Sequence, residues 1–152
     1  MDCKTLANVL EEIGNLLVLT GENPFKARSY YNAARLFREE DVDLDKLVES
    51  DRLLQLPGIG EALAKKITEL VRTGRLGYYN RIRESIPADL ITIMKIPGIG
   101  PRRAYTIHKK LGIITVDELE CACQDGRLIS LKGFYEKNVR TINDHIEKMR
   151  GS

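Results

Sequence analysis

The sequence predicts an all-α chain of two small helical units built on tandem hairpin motifs, with no sheet. Apolar residues recur at helical spacing along nearly the whole chain, and no convincing strand alternation appears. Leu56-Pro57-Gly58-Ile59-Gly60 returns forty residues later as Ile96-Pro97-Gly98-Ile99-Gly100, a period that marks a repeated supersecondary unit. The chain has 152 residues, 43% hydrophobic and 30% charged, which suits one or two small domains with modest cores rather than a disordered or fibrous protein.

Each element follows in order. Leu6, Val9, Leu10, Ile13, Leu16 and Leu17 form an apolar stripe that Thr20-Gly21 ends. A second helix should start near Pro24 and run to about Glu40, burying Phe25, Tyr30, Ala33, Ala34 and Phe37. A short helix is expected around Leu44 to Val48. After the first hairpin, Leu63, Ile67, Leu70 and Val71 define a helix stopped at Thr73-Gly74. Tyr78, Tyr79, Ile82 and Ile86 make the next, ending at Pro87. Leu90 to Met94 leads into the second hairpin and Pro101 to Leu111 leaves it. Val116 to Cys123 and Phe134 to Met149 complete the set, and Leu131-Lys132-Gly133-Phe134-Tyr135 reads as a third, degraded hairpin. The expected division is a four-helix unit over 1–86, with the first hairpin at 56–72. A second unit covers 87–150, with hairpins at 96–111 and 131–149.

Several function classes drop out. No apolar run is long enough for a transmembrane helix, and the polar N-terminus is not a signal peptide. Three cysteines, an odd count, argue against a disulfide framework and for a reducing, cytoplasmic setting. The formal net charge of +2 conceals an uneven distribution. Residues 1–50 hold six basic and ten acidic side chains, a net of −4; residues 51–112 hold twelve and five, a net of +7; the remainder hold six and seven, a net of −1. A surplus confined to the middle third points to a polyanionic partner.

The hairpins sit in that basic third. Glycines allow positive φ and close backbone approach, so Gly58, Gly60, Gly98 and Gly100 suit a tight turn that presents free amides at the start of the next helix. Those amides and the helix dipole attract phosphate, while Ile59 and Ile99 anchor each turn between its helices. Lys65 follows the first hairpin. After the second come Pro101, preorganised for a first helical position, and then Arg102 and Arg103. Two arginines there oppose the dipole by about 0.3–1 kcal/mol each if exposed, and a bound phosphate would reverse that sign. Lys109 and Lys110 extend the basic surface. One such turn would serve equally well as a plain connector; two, each before a helix and within the basic third, favour phosphate binding.

These residues form the helix-hairpin-helix motif, and the resemblance extends further. Gly21-Glu22-Asn23-Pro24-Phe25-Lys26, Tyr30 with Asn32-Ala33-Ala34, the first hairpin with Ala64-Lys65-Lys66-Ile67, and Thr73-Gly74-Arg75-Leu76 resemble the N-terminal region of family X DNA polymerases. The likeness is to bacterial and archaeal members and, more distantly, to DNA polymerase beta. Ile96 to Leu128 resembles the next segment of that family. The resemblance implies non-sequence-specific binding of gapped or nicked, 5′-phosphorylated duplex DNA in repair, with Lys26 and Tyr30 near the 5′ phosphate. It also implies that Lys66 matches the Schiff-base nucleophile of members that remove a 5′-deoxyribose phosphate. Main-chain carbonyls of Leu54, Leu56 and Ile59, and of Met94, Ile96 and Ile99, match ligands of a monovalent cation, Na+ or K+; no other cofactor is required.

Departures matter too. Other phosphate-binding lysines of DNA polymerase beta fall here on Leu54, Ala62 and Tyr78, and the carboxylate preceding its nucleophile falls on Lys65. The family's palm sheet and its catalytic aspartates have no counterpart in this sequence, so polymerisation is not expected of this chain alone, whether it is part of a longer polymerase or stands by itself. Three functions stay open: a DNA-binding module, a deoxyribose-phosphate lyase using Lys66, and an interaction module for a polymerase or repair protein.

Other signals carry less. Asp41, Asp43 and Asp45 alternate like metal ligands, but Lys46 and Arg52 stand where a calcium loop needs Gly and Glu, so helix capping is the better reading. Cys121 and Cys123 face different directions on one helix and do not make a zinc site. Tyr78 and Tyr79 suit base stacking or helix packing, with packing favoured for at least one.

Overall fold

In the computed structural model, which describes residues 1–151, the chain divides into a unit over Met1–Ser85 and a second beginning at Ile86. The first unit starts with α1 (Cys3–Leu19), opened by the Asp2 carboxylate, which accepts the Thr5 amide at 2.7 Å. Next comes α2 (Pro24–Glu39), where the Asn23 side chain accepts the Phe25 amide at 2.9 Å and Pro24 occupies the first turn. These two form the most extensive helix pair. Their close approach requires Gly14: a Cβ there would stand 2.8 Å from the Tyr31 ring. The Tyr31 hydroxyl donates to Asn15 at 2.7 Å beside that contact.

Around this pair lie α3 (Leu44–Glu49), capped by Asp43 through the Lys46 amide, a 3-10 turn over Leu53–Gln55, α4 (Glu61–Thr73) and α5 (Gly77–Glu84). Leu10, Ile13, Phe37, Ile67 and Leu70 meet in one core. Each such side chain contributes about 1.5–3 kcal/mol when fully buried. The unit therefore has five α-helices rather than four, because α5 packs on α1 as well as following α4.

Two details depart from the periodicity. Phe25, expected in the core, is 71% exposed. It stands off the stripe formed by Ala27, Tyr30, Ala33, Ala34 and Phe37, and the Arg28 guanidinium lies 5.8 Å from its ring centroid. Helix α5 stops at Glu84, short of Ile86. The Ser85 hydroxyl donates to the Ile82 carbonyl at 2.6 Å, and Pro87 crowds the residue before it out of the helical region.

The second unit contains α6 (Ala88–Met94), α7 (Gly100–Leu111), α8 (Val116–Asp125) and α9 (Glu136–Gly151). Its core gathers Ile93, Ile107, Ile113, Leu119, Leu128, Ile142 and Ile146. Thr115 opens α8 by accepting the Glu118 amide at 3.1 Å, while its hydroxyl donates to the Glu118 carboxylate at 2.9 Å. Helix α9 starts two residues after Phe134, because Asn138 accepts the Tyr135 amide and donates to the Gly133 carbonyl, closing the preceding turn. Among the described residues there is no strand, and no helix is long and apolar enough to cross a membrane.

Candidate nucleic-acid interface

Helices α1, α2, α3 and α8 each begin with a side chain capping their free amides. The two hairpin helices, α4 and α7, begin without one, as do the shorter α5 and α6, although Glu69 accepts the Gly77 amide of α5 at 3.0 Å. The first hairpin closes with the Ile59 amide donating to the Leu56 carbonyl at 3.3 Å; the second closes identically, from Ile99 to Ile96, at 3.0 Å. Ile59 and Ile99 are each 5% exposed, so each turn is pinned into its own core. Gly58 and Gly98 lie at φ +83° and +92°, with nothing within 4 Å of an added Cβ. Left-handed backbone alone explains glycine at both positions, since an added Cβ would meet no protein atom. Free amides at an exposed helix start can receive an anion.

Around the second hairpin the two arginines separate. Arg102 is exposed, and its side chain makes no hydrogen bond, ion pair or ring contact among the described residues. Arg103 turns back: it donates to the Gly98 carbonyl at 2.7 Å, and its guanidinium lies 5.4 Å from the Phe134 ring centroid. The dipole penalty read from sequence therefore has an answer within the fold at Arg103, and none at Arg102. Lys109 is exposed two turns from Arg102 on the same side of α7, about 10 Å along the axis. The third hairpin is real as a turn, with Gly133 at φ +90° and Phe134 buried at 3% exposure where the others have isoleucine.

A second cluster lies in the first unit. Lys66 Nζ stands 4.6 Å from the Tyr78 ring centroid, and Lys26 Nζ 5.4 Å from the same ring. Tyr30 stacks on Tyr78 with centroids 6.2 Å apart and planes 11° from parallel. Three residues singled out as site candidates from sequence, Lys26, Tyr30 and Lys66, thus converge on Tyr78, which the sequence left between stacking and packing. Burial, with the Tyr78 hydroxyl beside it, pushes the Tyr30 phenol far above its ordinary value, so it stays protonated. The same hydroxyl raises the Lys26 ammonium, yet it lacks the geometry of a hydrogen bond and is buried without a partner. Lys65 is not part of this cluster; it is exposed on α4, one turn from Glu61 and one from Glu69. Tyr79 packs instead, donating to Glu12 at 2.7 Å and receiving Arg83.

Sequence signals for Tyr78 were present but ambiguous. A tyrosine on an amphipathic helix packs more often than it binds, and the contact joins residues 26, 66 and 78, which only the fold brings together. All three cysteines are free of disulfides, and burial pushes the Cys123 thiol up to about 11, which leaves little thiolate at neutral pH.

Comparison with known proteins agrees with this geometry. Residues 1–76 match a helix-hairpin-helix domain model, and residues 89–148 match a SAM-like helix-hairpin-helix tandem. Over 142 residues the chain is 29% identical to the DNA polymerase/3′-5′ exonuclease PolX of Bacillus subtilis, covering 93% of the chain and 24% of that protein. Over 148 residues it is 26% identical to DNA polymerase lambda of Arabidopsis thaliana, covering 93% and 27%. The chain spans about a quarter of the length of these curated relatives. The matches support its resemblance to the N-terminal region of family X DNA polymerases and a DNA-binding module of that type. Matched over the first half of its length by that model, the chain belongs to the helix-hairpin-helix domain family.

Proposed function

We propose that this chain holds gapped or 5′-phosphorylated duplex DNA without sequence specificity, through backbone phosphates. The observation that carries the reading is the pair of hairpin helices whose first amides have no side-chain cap, beneath exposed glycines. Gly58 and Gly60, and Gly98 and Gly100, supply amides to the phosphates, with Ile59 and Ile99 anchoring the turns; Arg102 and Lys109 add charge. The ammonium groups of Lys26 and Lys66, beside Tyr30, receive the 5′ phosphate. The test is binding to a one-nucleotide gap with and without a 5′ phosphate, titrated with salt. A steep salt dependence and tighter binding of the phosphorylated gap are expected. A flat salt profile would remove the backbone reading, and equal affinities would remove the 5′-phosphate site.

A second reading, deoxyribose-phosphate lyase, is favoured by the place of Lys66 in that cluster. The Lys66 amine would condense with the C1′ aldehyde, losing water. Removal of a C2′ proton would then break the C3′–O bond, and hydrolysis would free the amine. Borohydride trapping on incised abasic DNA tests it; an adduct that survives Lys66→Ala rules Lys66 out as the nucleophile.

A monovalent cation also fits the hairpin turns. The carbonyls of Leu56 and Ile96 each accept one turn bond and keep a second lone pair. With Leu54, Ile59, Met94 and Ile99 they offer only main-chain oxygen, a donor set suited to Na+ or K+, which would bridge to a DNA phosphate. Replacing Na+ or K+ by tetramethylammonium at constant ionic strength should weaken DNA binding. A reducing, cytoplasmic setting goes with this reading and with three unpaired thiols.

A further inference from the structure

We propose that Tyr78 is a positioning residue: its neutral ring gathers Lys26 and Lys66 into one cationic site selective for a terminal phosphate monoester over an internal phosphodiester. The inference rests on the 5′-phosphate reading above and names the residue that sets its selectivity.

Two ammonium groups brought close together repel, and long lysine side chains lose rotamer freedom when held. Something must offset both costs. Elsewhere in the first unit a carboxylate does so, as with Arg38 and Glu11 or Arg83 and Glu12. Lys26 and Lys66 make no salt bridge among the described residues. Instead both stand over Tyr78, at 5.4 and 4.6 Å from its centroid, and Tyr30 holds that ring in place by parallel stacking. A carboxylate orients a cation by neutralising it. A ring orients it through its quadrupole and leaves the full charge for a ligand. Two positive charges with no carboxylate bonded to them favour a phosphate monoester, which carries close to two negative charges at neutral pH, over a diester, which carries one.

The buried, unpartnered Tyr78 hydroxyl gives the arrangement a second, separable feature. If the ring is what matters, the hydroxyl is dispensable. Tyr78→Phe keeps the ring; Tyr78→Leu and Tyr78→Met remove it with apolar side chains of unlike shape. For each protein the readout is affinity for a gapped duplex bearing a 5′ phosphate divided by affinity for the same duplex bearing a 5′ hydroxyl. Binding to an intact duplex, which uses the hairpins, reports whether the variant is folded.

The wild-type ratio should exceed one, Tyr78→Phe should keep most of it, and both aliphatic variants should bring it to about one with intact-duplex binding unchanged. An aliphatic variant that keeps the wild-type ratio overturns the proposal and leaves the phosphate site standing. Loss in Tyr78→Phe equal to that in Tyr78→Leu also overturns it, by transferring the role to the hydroxyl. A wild-type ratio of one overturns the 5′-phosphate reading itself. A measurement on the unmutated protein completes the set: the ε-methylene protons of Lys66 should show an upfield ring-current shift, and ordinary lysine values there would overturn the proposal without any variant.

Discussion

The two complete hairpins share Pro-Gly-Ile-Gly and still differ in backbone. Gly60 adopts φ −88° and ψ 178°, an extended conformation open to any residue, and α4 starts after it. Gly100 adopts φ +71° and α7 starts with it. The left-handed position at Gly100 is one that glycine alone takes freely, whereas the extended one at Gly60 does not require it. Pro101 lacks an N–H, so the second hairpin presents one amide fewer than the first and has the exposed Arg102 guanidinium in addition. The two hairpins thus share a four-residue motif, while the residue after it changes what the next helix offers an anion.

The largest effects should appear at the glycines. Gly100→Ala forces a side chain into a left-handed position and should cost about 1–2 kcal/mol of stability in denaturant unfolding, while Gly60→Ala should stay within about 0.5 kcal/mol. Neither added Cβ meets any atom within 4 Å, so the difference isolates the backbone. Equal costs at the two positions would break the comparison.

Next come the two arginines. Arg103→Ala removes a charged hydrogen bond to Gly98 and a contact with Phe134, so it should lower stability by about 1–2 kcal/mol. It should weaken DNA binding with a smaller change in salt slope than Arg102→Ala, because its guanidinium is turned back onto the Gly98 carbonyl and the Phe134 ring. Arg102→Ala should leave stability within about 0.5 kcal/mol and lower the salt slope by about one. From sequence alone both residues share that slope. Equal slope changes in the two variants would return Arg103 to the DNA.

These contrasts mark how far the sequence could be read. Elements and their anchors were legible because apolar spacing encodes them: Ile59 and Ile99 are buried by the same periodicity that defines the helices around them. Capping was legible at Asp43, whose side chain has a local partner three residues away. Phe25 misled because hydrophobicity states a preference and not a direction; at the second position of α2 it falls off the buried stripe. The roles of Tyr78 and Arg103 were hidden for a different reason. The ring meets lysines 12 and 52 residues away in sequence, and Arg103 meets Phe134, 31 residues on. Charge patterning assigns signs to positions, but only the fold shows which side chains are turned back onto the protein.

The smallest effect tests the first hairpin alone. Glu61 occupies the first turn of α4, where a negative charge favours the free helix by about 0.3–1 kcal/mol. That preference opposes a phosphate at the same amides. Glu61→Gln should therefore cost a few tenths of a kcal/mol in stability and tighten DNA binding by about two- to fivefold at low salt, the gain shrinking as salt is added. At the second hairpin no acidic residue occupies the first turn, so no substitution there should produce the same paired change. If Glu61→Gln lowered stability without tightening binding, the amides of α4 would be shown not to meet phosphate, and the two hairpins would differ in function as well as in backbone.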